Sequence, residues 1–254
     1  MSLMESKGGL PEWGSPPTDL ALHTEEVHVW RIELDTLQAA VEEFHSLLSS
    51  DERERARAFH KAKDRNRYVI VRGTMRTILA RYVATAPENL EFAYNGYGKP
   101  SLTGHPARSP LQFNLSHSHE LAIVAAAWGV KVGIDIEHWR ENLASQEIAE
   151  RFFSPLERAA LRSLPREERH AAFYRCWTRK EAYLKARGEG LSLPLHQFTV
   201  SLGPGEPAAL LHTTSDPQEA LEWSLVDLKV GPWYSAALAV EGRLPTISYW
   251  RWMR

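Results

Sequence analysis

The first half of the chain combines short alternating segments with one long helical segment. Residues 27–32 alternate between apolar and polar side chains in the manner of a strand. Between residues 64 and 82, apolar side chains recur every three or four positions, which predicts a long amphipathic helix with one face on a core. These side chains are Tyr68, Val71, Met75, Ile78, Leu79 and Tyr82. A shorter helix is predicted over residues 51–59, because a pair of serines precedes it in the capping position.

The second half repeats this arrangement in outline. Residues 121–128 are apolar throughout and residues 130–137 alternate, so we expect two adjacent strands joined by a short turn at Gly129. A helix is predicted over residues 173–187, followed by strands at 198–200, 222–226, 233–240 and 246–252. Two halves of similar length, each with a long helix and several strands, favour a pseudo-duplicated α+β architecture whose halves join near residues 128–130.

Composition and charge argue against several classes of function. The 254 residues carry a formal net charge of -2, which provides no overall field for nucleic acid or an anionic membrane. No run of about 18 apolar residues occurs, and the first residues lack the apolar stretch of a signal peptide, so we expect a cytoplasmic protein. Cys176 is the only cysteine, so an intrachain disulfide is excluded. We expect its thiol to be a buried small hydrophobic group.

Two acidic residues stand two positions apart in the strand predicted over residues 130–137. Side chains two apart in a strand point to the same face, so Asp135 and Glu137 project together while Ile134 and Ile136 face the core. Adjacent carboxylates repel each other unless a cation lies between them, and oxygen ligands suit a hard divalent ion such as magnesium. A solvated strand face is the alternative interpretation of the same pair.

A second group of polar residues lies on the predicted helix of the second half. Trp177, Glu181 and Lys185 are four residues apart and therefore share one helix face. Glu181 could be a third metal ligand or a base, with Lys185 reaching a phosphate. An aromatic anchor beside a surface Glu–Lys pair explains the same spacing.

Two further segments carry groups that can bind phosphate. Ser116 and His117 stand at a strand end and can donate hydrogen bonds to phosphate oxygens, although turn chemistry explains them equally. In the segment 96–100, glycines allow close backbone approach, and Lys99 before Pro100 supplies a point charge. An ordinary loop is the alternative for this segment.

Taken in order, four motifs resemble the 4′-phosphopantetheinyl transferases. They are GKP at 98–100, FNLSHS at 113–118, GIDIE at 133–137 and WTRKEAYLK at 177–185. The length resembles the Sfp type, which looks like two fused copies of the short holo-carrier-protein synthase. The resemblance implies an α+β fold with lobes at residues 1–128 and 129–254, each a mostly antiparallel sheet packed against a long helix. It also implies transfer of the phosphopantetheine arm of coenzyme A to a serine of an apo acyl or peptidyl carrier protein, releasing 3′,5′-ADP.

The resemblance assigns roles to individual residues. Asp135, Glu137 and Glu181 would hold Mg²⁺, with Mn²⁺ as a possible substitute, and Glu181 would also be the general base. Lys185 would stabilise charge on the pyrophosphate. The residues expected to hold the nucleotide and phosphates of coenzyme A are Arg55, Arg67, Arg72, Lys99, Pro100, Ser116 and His117. Glu52 departs from the family pattern, because a basic residue often stands near this position. A solvated helix face is the alternative for Arg55 and Arg72.

The resemblance also implies a docking surface for the carrier across the cleft between the lobes. Its candidates lie in the segment 139–153 and are Arg140, Leu143, Ile148, Arg151, Phe152 and Phe153. A place in the core is the alternative for Phe152 and Phe153. Because a duplicated chain builds its cleft internally, we expect a monomer. A metal-dependent hydrolase of the coenzyme A pyrophosphate and an inactive carrier-binding homologue are the rival functions.

Overall fold

The first sheet contains the strands of the N-terminal half together with the last strand of the chain. In the computed structural model, which describes residues 12–104, 110–141 and 145–253, its strand order is β11-β1-β5-β4. These strands are β1 (Glu26–Glu33), β4 (Leu111–Ser118), β5 (Leu121–Trp128) and β11 (Thr246–Arg251). β11 runs parallel to β1, and the other neighbours are antiparallel. The C-terminal strand therefore returns to the sheet of the N-terminal half.

The uniformly apolar strand β5 is explained by its position between two layers. Ala122 and Val124 face the long helix α3 (Ala62–Val83), where they share a buried cluster with Ile70. Ile123 and Ala125 face the second sheet instead, because successive strand residues point to opposite sides. A strand covered on both faces needs apolar side chains at every position.

The second sheet consists of β6 (Val132–His138), β10 (Tyr234–Glu241) and β9 (Trp223–Asp227), all antiparallel. Its inner face packs on the first sheet through Ile134 and Ile136, and its outer face packs on helix α6 (Arg166–Arg187). The layers are thus helix, sheet, sheet and helix. The predicted α+β class, with two lobes that each pack a mostly antiparallel sheet on a long helix, is confirmed.

Smaller elements complete the described ranges. They are the helices α1 (Val41–Leu47), α2 (Ser50–Arg57), α4 (Ser145–Phe152) and α5 (Pro155–Ser163), and the hairpins β2 (Phe92–Tyr94) with β3 (Pro100–Leu102) and β7 (Phe198–Val200) with β8 (Leu210–Thr213). Short 3₁₀ turns connect several of them. None of the helices in these ranges has the length and apolar character that a membrane span requires.

One expectation about strand pairing is wrong. β5 and β6 follow each other in the chain, but β5 pairs with β1 and β4, whereas β6 pairs with β10. At Gly129 the backbone has a φ of 73°, a conformation that glycine adopts without strain, and the chain passes there from the first sheet to the second. The lobe limits at residues 1–128 and 129–254 stay a prediction, and β11 lies in the sheet of the first lobe.

The two sheets meet along the edge strands β4 and β6 through side chains of β4. Asn114 Oδ1 accepts a hydrogen bond from the Ile134 N–H at 2.9 Å, and Ser116 Oγ accepts one from the Ile136 N–H at 3.4 Å. Ser118 Oγ accepts the next one from the N–H of His138, the last residue of β6, at 3.0 Å. This side-chain ladder satisfies backbone donors that would otherwise be buried without partners.

Helix α6 approaches β6 closely because Gly133 has no side chain. A Cβ at this position would collide with the backbone of Ala182 and Ala186. The contact places the middle of α6 against the strand that carries Asp135. A larger residue at position 133 would force the helix away from the strand.

We predict that Asn114→Ala lowers the free energy of unfolding by about 1–3 kcal/mol, because the Ile134 N–H would stay buried without an acceptor. Urea unfolding followed by circular dichroism measures the change. Gln112→Ala is the matched control, since Gln112 lies on the same face of β4 but is partly exposed. An equal loss in both variants would contradict the role of the ladder.

Candidate functional site

The carboxylates of β6 point towards α6, as their spacing predicts. Asp135 is buried, and its Oδ1 accepts hydrogen bonds from Ser116 Oγ at 2.9 Å and from Lys185 Nζ at 2.6 Å. Glu137 is partly buried, and its Oε2 accepts a hydrogen bond from Ser118 Oγ at 3.0 Å. Lys185 Nζ also donates to Ser116 Oγ at 2.9 Å. The structure thus unites residues from β4, β6 and α6 that the sequence holds far apart.

Helix α6 contributes a third carboxylate to this group. Burial, together with the negative charges of Asp135 and Glu137, raises the pKa of Glu181 to about 7, against the opposing effect of Lys185. Burial and the charge of Asp135 also raise the pKa of Glu137. The charge of Asp135 therefore makes ionisation of both glutamates less favourable, as is expected of acidic groups that share one site.

The donor set fits a hard divalent cation. Asp135 Oδ2 is a buried oxygen without a hydrogen-bond partner, and burial together with neighbouring negative charge raises the pKa values of Glu137 and Glu181. A cation with oxygen ligands would relieve both conditions. In the described ranges, no three acidic, histidine or cysteine side chains are already arranged as a ligand set. Binding would therefore require at least one of the side chains to adjust.

A cavity of about 480 Å³ connects the carboxylates with the glycine-containing loop. Tyr97, Lys99 and Pro100 line one side of it, and Glu181 and Lys185 line the other. The turn depends on Gly98, whose φ of 83° is strained for other residues. Pro100 thus lines a cavity that leads to the acidic group, and its assignment to coenzyme A stays a prediction.

The side chain of Lys99 is directed at the end of α6. Its Nζ donates hydrogen bonds to the carbonyl oxygens of Ala186 at 2.8 Å and Val132 at 3.3 Å. Burial and the charge of Lys131 lower the pKa of Lys99 to about 8. These contacts favour a structural role in which Lys99 satisfies carbonyls at the helix C-terminus. Its assignment to a phosphate stays a prediction.

His117 and Arg67 are two further candidate phosphate ligands. Partial desolvation and the charges of Lys185 and Arg67 lower the pKa of His117, whose side chain is still accessible at the surface. Arg67 lies at the start of α3 with one nitrogen, Nε, buried without a partner and another 3.5 Å from Asp35 Oδ1. His117, Arg67 and Lys185 are thus the candidates that a phosphate group can still reach.

Arg72 is bound within the protein. Its Nε donates to Glu52 Oε1 at 2.8 Å, and its Nη2 donates to Tyr94 OH. Arg76 donates to the other oxygen of the same carboxylate at 2.6 Å. Glu52, which departs from the family pattern, therefore joins α2 to α3 through two arginines. These contacts support a structural role for Arg72, while Arg55 stays exposed on α2.

Sequence reasoning missed a buried ion pair that Lys180 of the WTRKEAYLK motif forms with Glu157 of α5. Lys180 Nζ donates to both oxygens of Glu157, at 2.7 and 2.8 Å, and neither side chain is accessible to solvent. Glu157 also accepts from the Val200 N–H and from the N–H of Ser154, which caps α5. The neighbouring Arg179 is buried against Asp227. No sequence signal identified Glu157 as the partner, because 23 residues separate it from Lys180.

The candidate docking residues lie mostly against the core. Phe153 is buried and stacks on Phe173, so the core alternative is correct for it. Phe152 is partly buried and packs edge-on against Trp177. Ile148 lines a cavity of about 120 Å³ beside Glu137. Leu143 lies outside the described residues.

Arg140 and Arg151 are the two basic residues among the docking candidates. Arg140 lines the same cavity as Ile148, and the Arg151 guanidinium lies over the Phe152 ring. Their role in carrier steering stays a prediction.

Cys176 is fully buried, and burial raises the pKa of its thiol, which confirms the prediction of a small hydrophobic side chain.

The sequence matches known proteins of one family over both halves of the chain. The family described as the 4′-phosphopantetheinyl transferase superfamily matches residues 131–240, and the one described as 4′-phosphopantetheinyl transferase, N-terminal, matches residues 30–129. The 4′-phosphopantetheinyl transferase HetI of Nostoc sp. is 41% identical over 230 residues, which cover 91% of this chain and 94% of that protein. The 4′-phosphopantetheinyl transferase Sfp of Bacillus subtilis is 35% identical over 161 residues, which cover 63% of this chain and 69% of its own.

A solved structure, the holo-[acyl-carrier-protein] synthase of Thermotoga maritima, aligns with 45% of this chain and 64% of its own at 24% identity and a TM-score of 0.35, which is too low to support an argument. The sequence matches are sufficient without it. They identify the protein as a transferase. The chain belongs to the 4′-phosphopantetheinyl transferase superfamily, as the four motifs predict.

We predict that Lys180→Met lowers the free energy of unfolding by about 3–5 kcal/mol, because it leaves the Glu157 carboxylate buried without its cation. Thermal and urea unfolding measure the loss. Arg162→Met is the control, since it removes an exposed partner of Glu150 and should cost less than about 1 kcal/mol. Similar losses of unfolding free energy in the two variants would show that burial of the pair does not make its disruption more destabilising.

The raised pKa of Glu181 predicts how pH affects the metal-free protein. Its folded pKa of about 7 lies above the usual 4.5, so ionisation opposes folding. This destabilisation is absent below pH 4.5, grows as the pH rises, and is complete above pH 7. Glu181→Gln should therefore gain stability relative to the wild type between pH 5 and pH 8, by up to about 3 kcal/mol.

Urea unfolding at several pH values in the presence of a chelator tests this difference. Glu54→Gln, which alters an exposed glutamate of α2, is the control. Its free energy of unfolding should change between pH 5 and pH 8 by the same amount as that of the wild type. If Glu181→Gln gained nothing between pH 5 and pH 8, the raised pKa of Glu181 in the folded protein would be rejected.

Proposed function

We propose that the chain transfers the 4′-phosphopantetheine arm of coenzyme A to a serine of an apo acyl or peptidyl carrier protein and releases 3′,5′-ADP. The observation that supports this most directly is the meeting of Glu181 and Lys185 with Asp135 and Ser116 beside a cavity that the Lys99–Pro100 loop closes. Membership of the transferase superfamily and the activity for which its relatives are named support the same reaction.

Asp135, Glu137 and Glu181 would hold the magnesium ion, and Mn²⁺ would suit the same oxygen ligands. The bound ion would neutralise the pyrophosphate of coenzyme A and orient the phosphorus under attack. The unpartnered Asp135 Oδ2 and the raised pKa values of Glu137 and Glu181 support this assignment. In the metal-free protein, Lys185 provides part of the compensating charge through its ion pair with Asp135.

Two residues of α6 carry the remaining chemistry in this proposal. Glu181 takes the proton from the carrier serine as the serine oxygen bonds to the phosphorus. Lys185 stabilises the negative charge that develops on the departing 3′,5′-ADP as its bond to phosphorus breaks.

The contacts divide the proposed phosphate ligands into two groups. Arg67 and Lys185 both lie within electrostatic reach of His117, and Arg67 has a buried nitrogen without a partner. They are the preferred ligands for the phosphates of the nucleotide. Arg72 and Lys99 are engaged by the protein itself, so they contribute to the shape of the site.

The carrier would dock across the cleft between the lobes, near the cavity that Arg140 and Ile148 line beside Glu137. A basic side chain at this edge would attract an acidic carrier. Because one chain contributes all of the site residues named here, we propose a monomeric enzyme. The proposal also places the enzyme in the cytoplasm. Light scattering that showed an obligate dimer would contradict the monomer.

Intact-mass spectrometry of apo carrier proteins tests the transfer. We predict that incubation with coenzyme A and Mg²⁺ adds one phosphopantetheine group to a carrier serine, and that a chelator abolishes the gain. Glu181→Gln should lower the transfer rate by about 10²–10⁴-fold, the range typical for loss of a general base. Glu54→Gln is the control and should keep the wild-type rate, because Glu54 is exposed on α2.

Other outcomes separate the rival functions. Consumption of coenzyme A without any mass gain on acyl or peptidyl carriers would indicate the pyrophosphate hydrolase. Intact coenzyme A together with binding of the carrier would indicate an inactive homologue. Near-normal turnover of Glu181→Gln would reject the proposed base while leaving the transfer itself in place.

A further inference from the structure

The side-chain ladder between β4 and β6 has rungs of two kinds. At the first rung, Asn114 accepts the Ile134 N–H, and the preceding residue on β6 is Gly133, which has no side chain. At the last rung, Ser118 accepts the N–H of His138, and the preceding residue is Glu137. The first rung can therefore act on the backbone alone, whereas the last also contacts a carboxylate.

The hydroxyl group of Ser118 makes both of these contacts at once. It accepts from the His138 N–H at 3.0 Å and donates to Glu137 Oε2 at 3.0 Å. A serine hydroxyl has a single proton, so that proton is committed to the carboxylate while an oxygen lone pair is committed to the backbone. The carboxylate of Glu137 is thereby fixed relative to the strand from which it projects.

Glu137 depends on this contact more than Asp135 depends on its own serine. The Asp135 carboxylate accepts from both Ser116 and Lys185. Among the residues that the structure describes, Ser118 is the hydrogen-bond donor to Glu137. A glutamate side chain has three rotatable bonds, and holding it in one rotamer costs conformational entropy. A fixed donor lowers that cost before any ligand arrives.

We propose that Ser118 is a positioning residue for Glu137, and that its hydroxyl orients this carboxylate towards the divalent cation. The inference rests on the proposed function, because it takes Glu137 as a metal ligand. Ser118 itself does not contact the cation. Hydrogen-bonding partners of metal ligands commonly account for about 10–100-fold in metal affinity.

Binding of Mn²⁺ to the full-length protein without coenzyme A tests the proposal, with the free ion measured by electron paramagnetic resonance. We predict that Ser118→Ala weakens Mn²⁺ binding by about 10–100-fold. Asn114→Ala is the matched control, since it removes a rung of the same ladder that holds no carboxylate. It should lose stability and keep its Mn²⁺ affinity. Urea unfolding of both variants confirms that binding is measured on folded protein.

A double-mutant cycle separates orientation of Glu137 from a general loosening of the site. Glu137→Ala should weaken Mn²⁺ binding, and Ser118→Ala should then have no additional effect, because its partner is absent. If Ser118→Ala binds Mn²⁺ like the wild type while Glu137→Ala does not, the positioning role is rejected and the proposed function stands. The positioning role is also rejected if Asn114→Ala loses as much affinity as Ser118→Ala. If Glu137→Ala also binds like the wild type, the metal assignment and the positioning role fall together.

Discussion

The hydrogen bonds from the β6 backbone to the side chains of β4 are the constraint that holds the two sheets together at their edges. Two edge strands meet there, and each must satisfy its buried polar groups without continuing a common sheet. Asn114, Ser116 and Ser118 do so with alternate side chains of one strand. Because side chains alternate with a period of two, the same register brings the serines to Asp135 and Glu137. The contact that joins the lobes therefore also assembles the acidic group.

The second constraint is the close approach of α6 to β6 at Gly133. Since no side chain separates them, Glu181 and Lys185 come within electrostatic reach of Asp135. The result is a cluster of carboxylates at high local negative charge with a lysine as partial compensation. Such a cluster opposes folding in the absence of a cation, and proteins commonly retain unfavourable electrostatics of this kind at functional sites. Removal of either partner of a buried pair such as Lys180 with Glu157 would leave an uncompensated charge in the interior.

Local sequence patterns were sufficient to predict the α+β class and the acidic residues proposed for the site. Apolar residues at helical spacing predicted α3, and an uninterrupted apolar run predicted β5, because the buried positions of each element carry apolar side chains. The spacing of Asp135 and Glu137 placed both carboxylates on one face, opposite Ile134 and Ile136. Order and spacing of four motifs were sufficient for the family. All of these features are local, or repeat along the chain, and can be recognised without knowing which segments meet.

The partners of the polar groups, by contrast, depend on how distant segments of the chain pack together. Lys99 and Arg72 resemble phosphate ligands in the sequence, yet one binds carbonyls at the end of α6 and the other binds Glu52. Strand β6 leaves β5 for the second sheet, and β11 returns to the first. Ser118 acquires its contact with Glu137 in the same way, across 19 residues of chain. A charged or hydroxyl group has the same sequence signature whether it faces a ligand or another side chain, so long-range packing alone distinguishes the two.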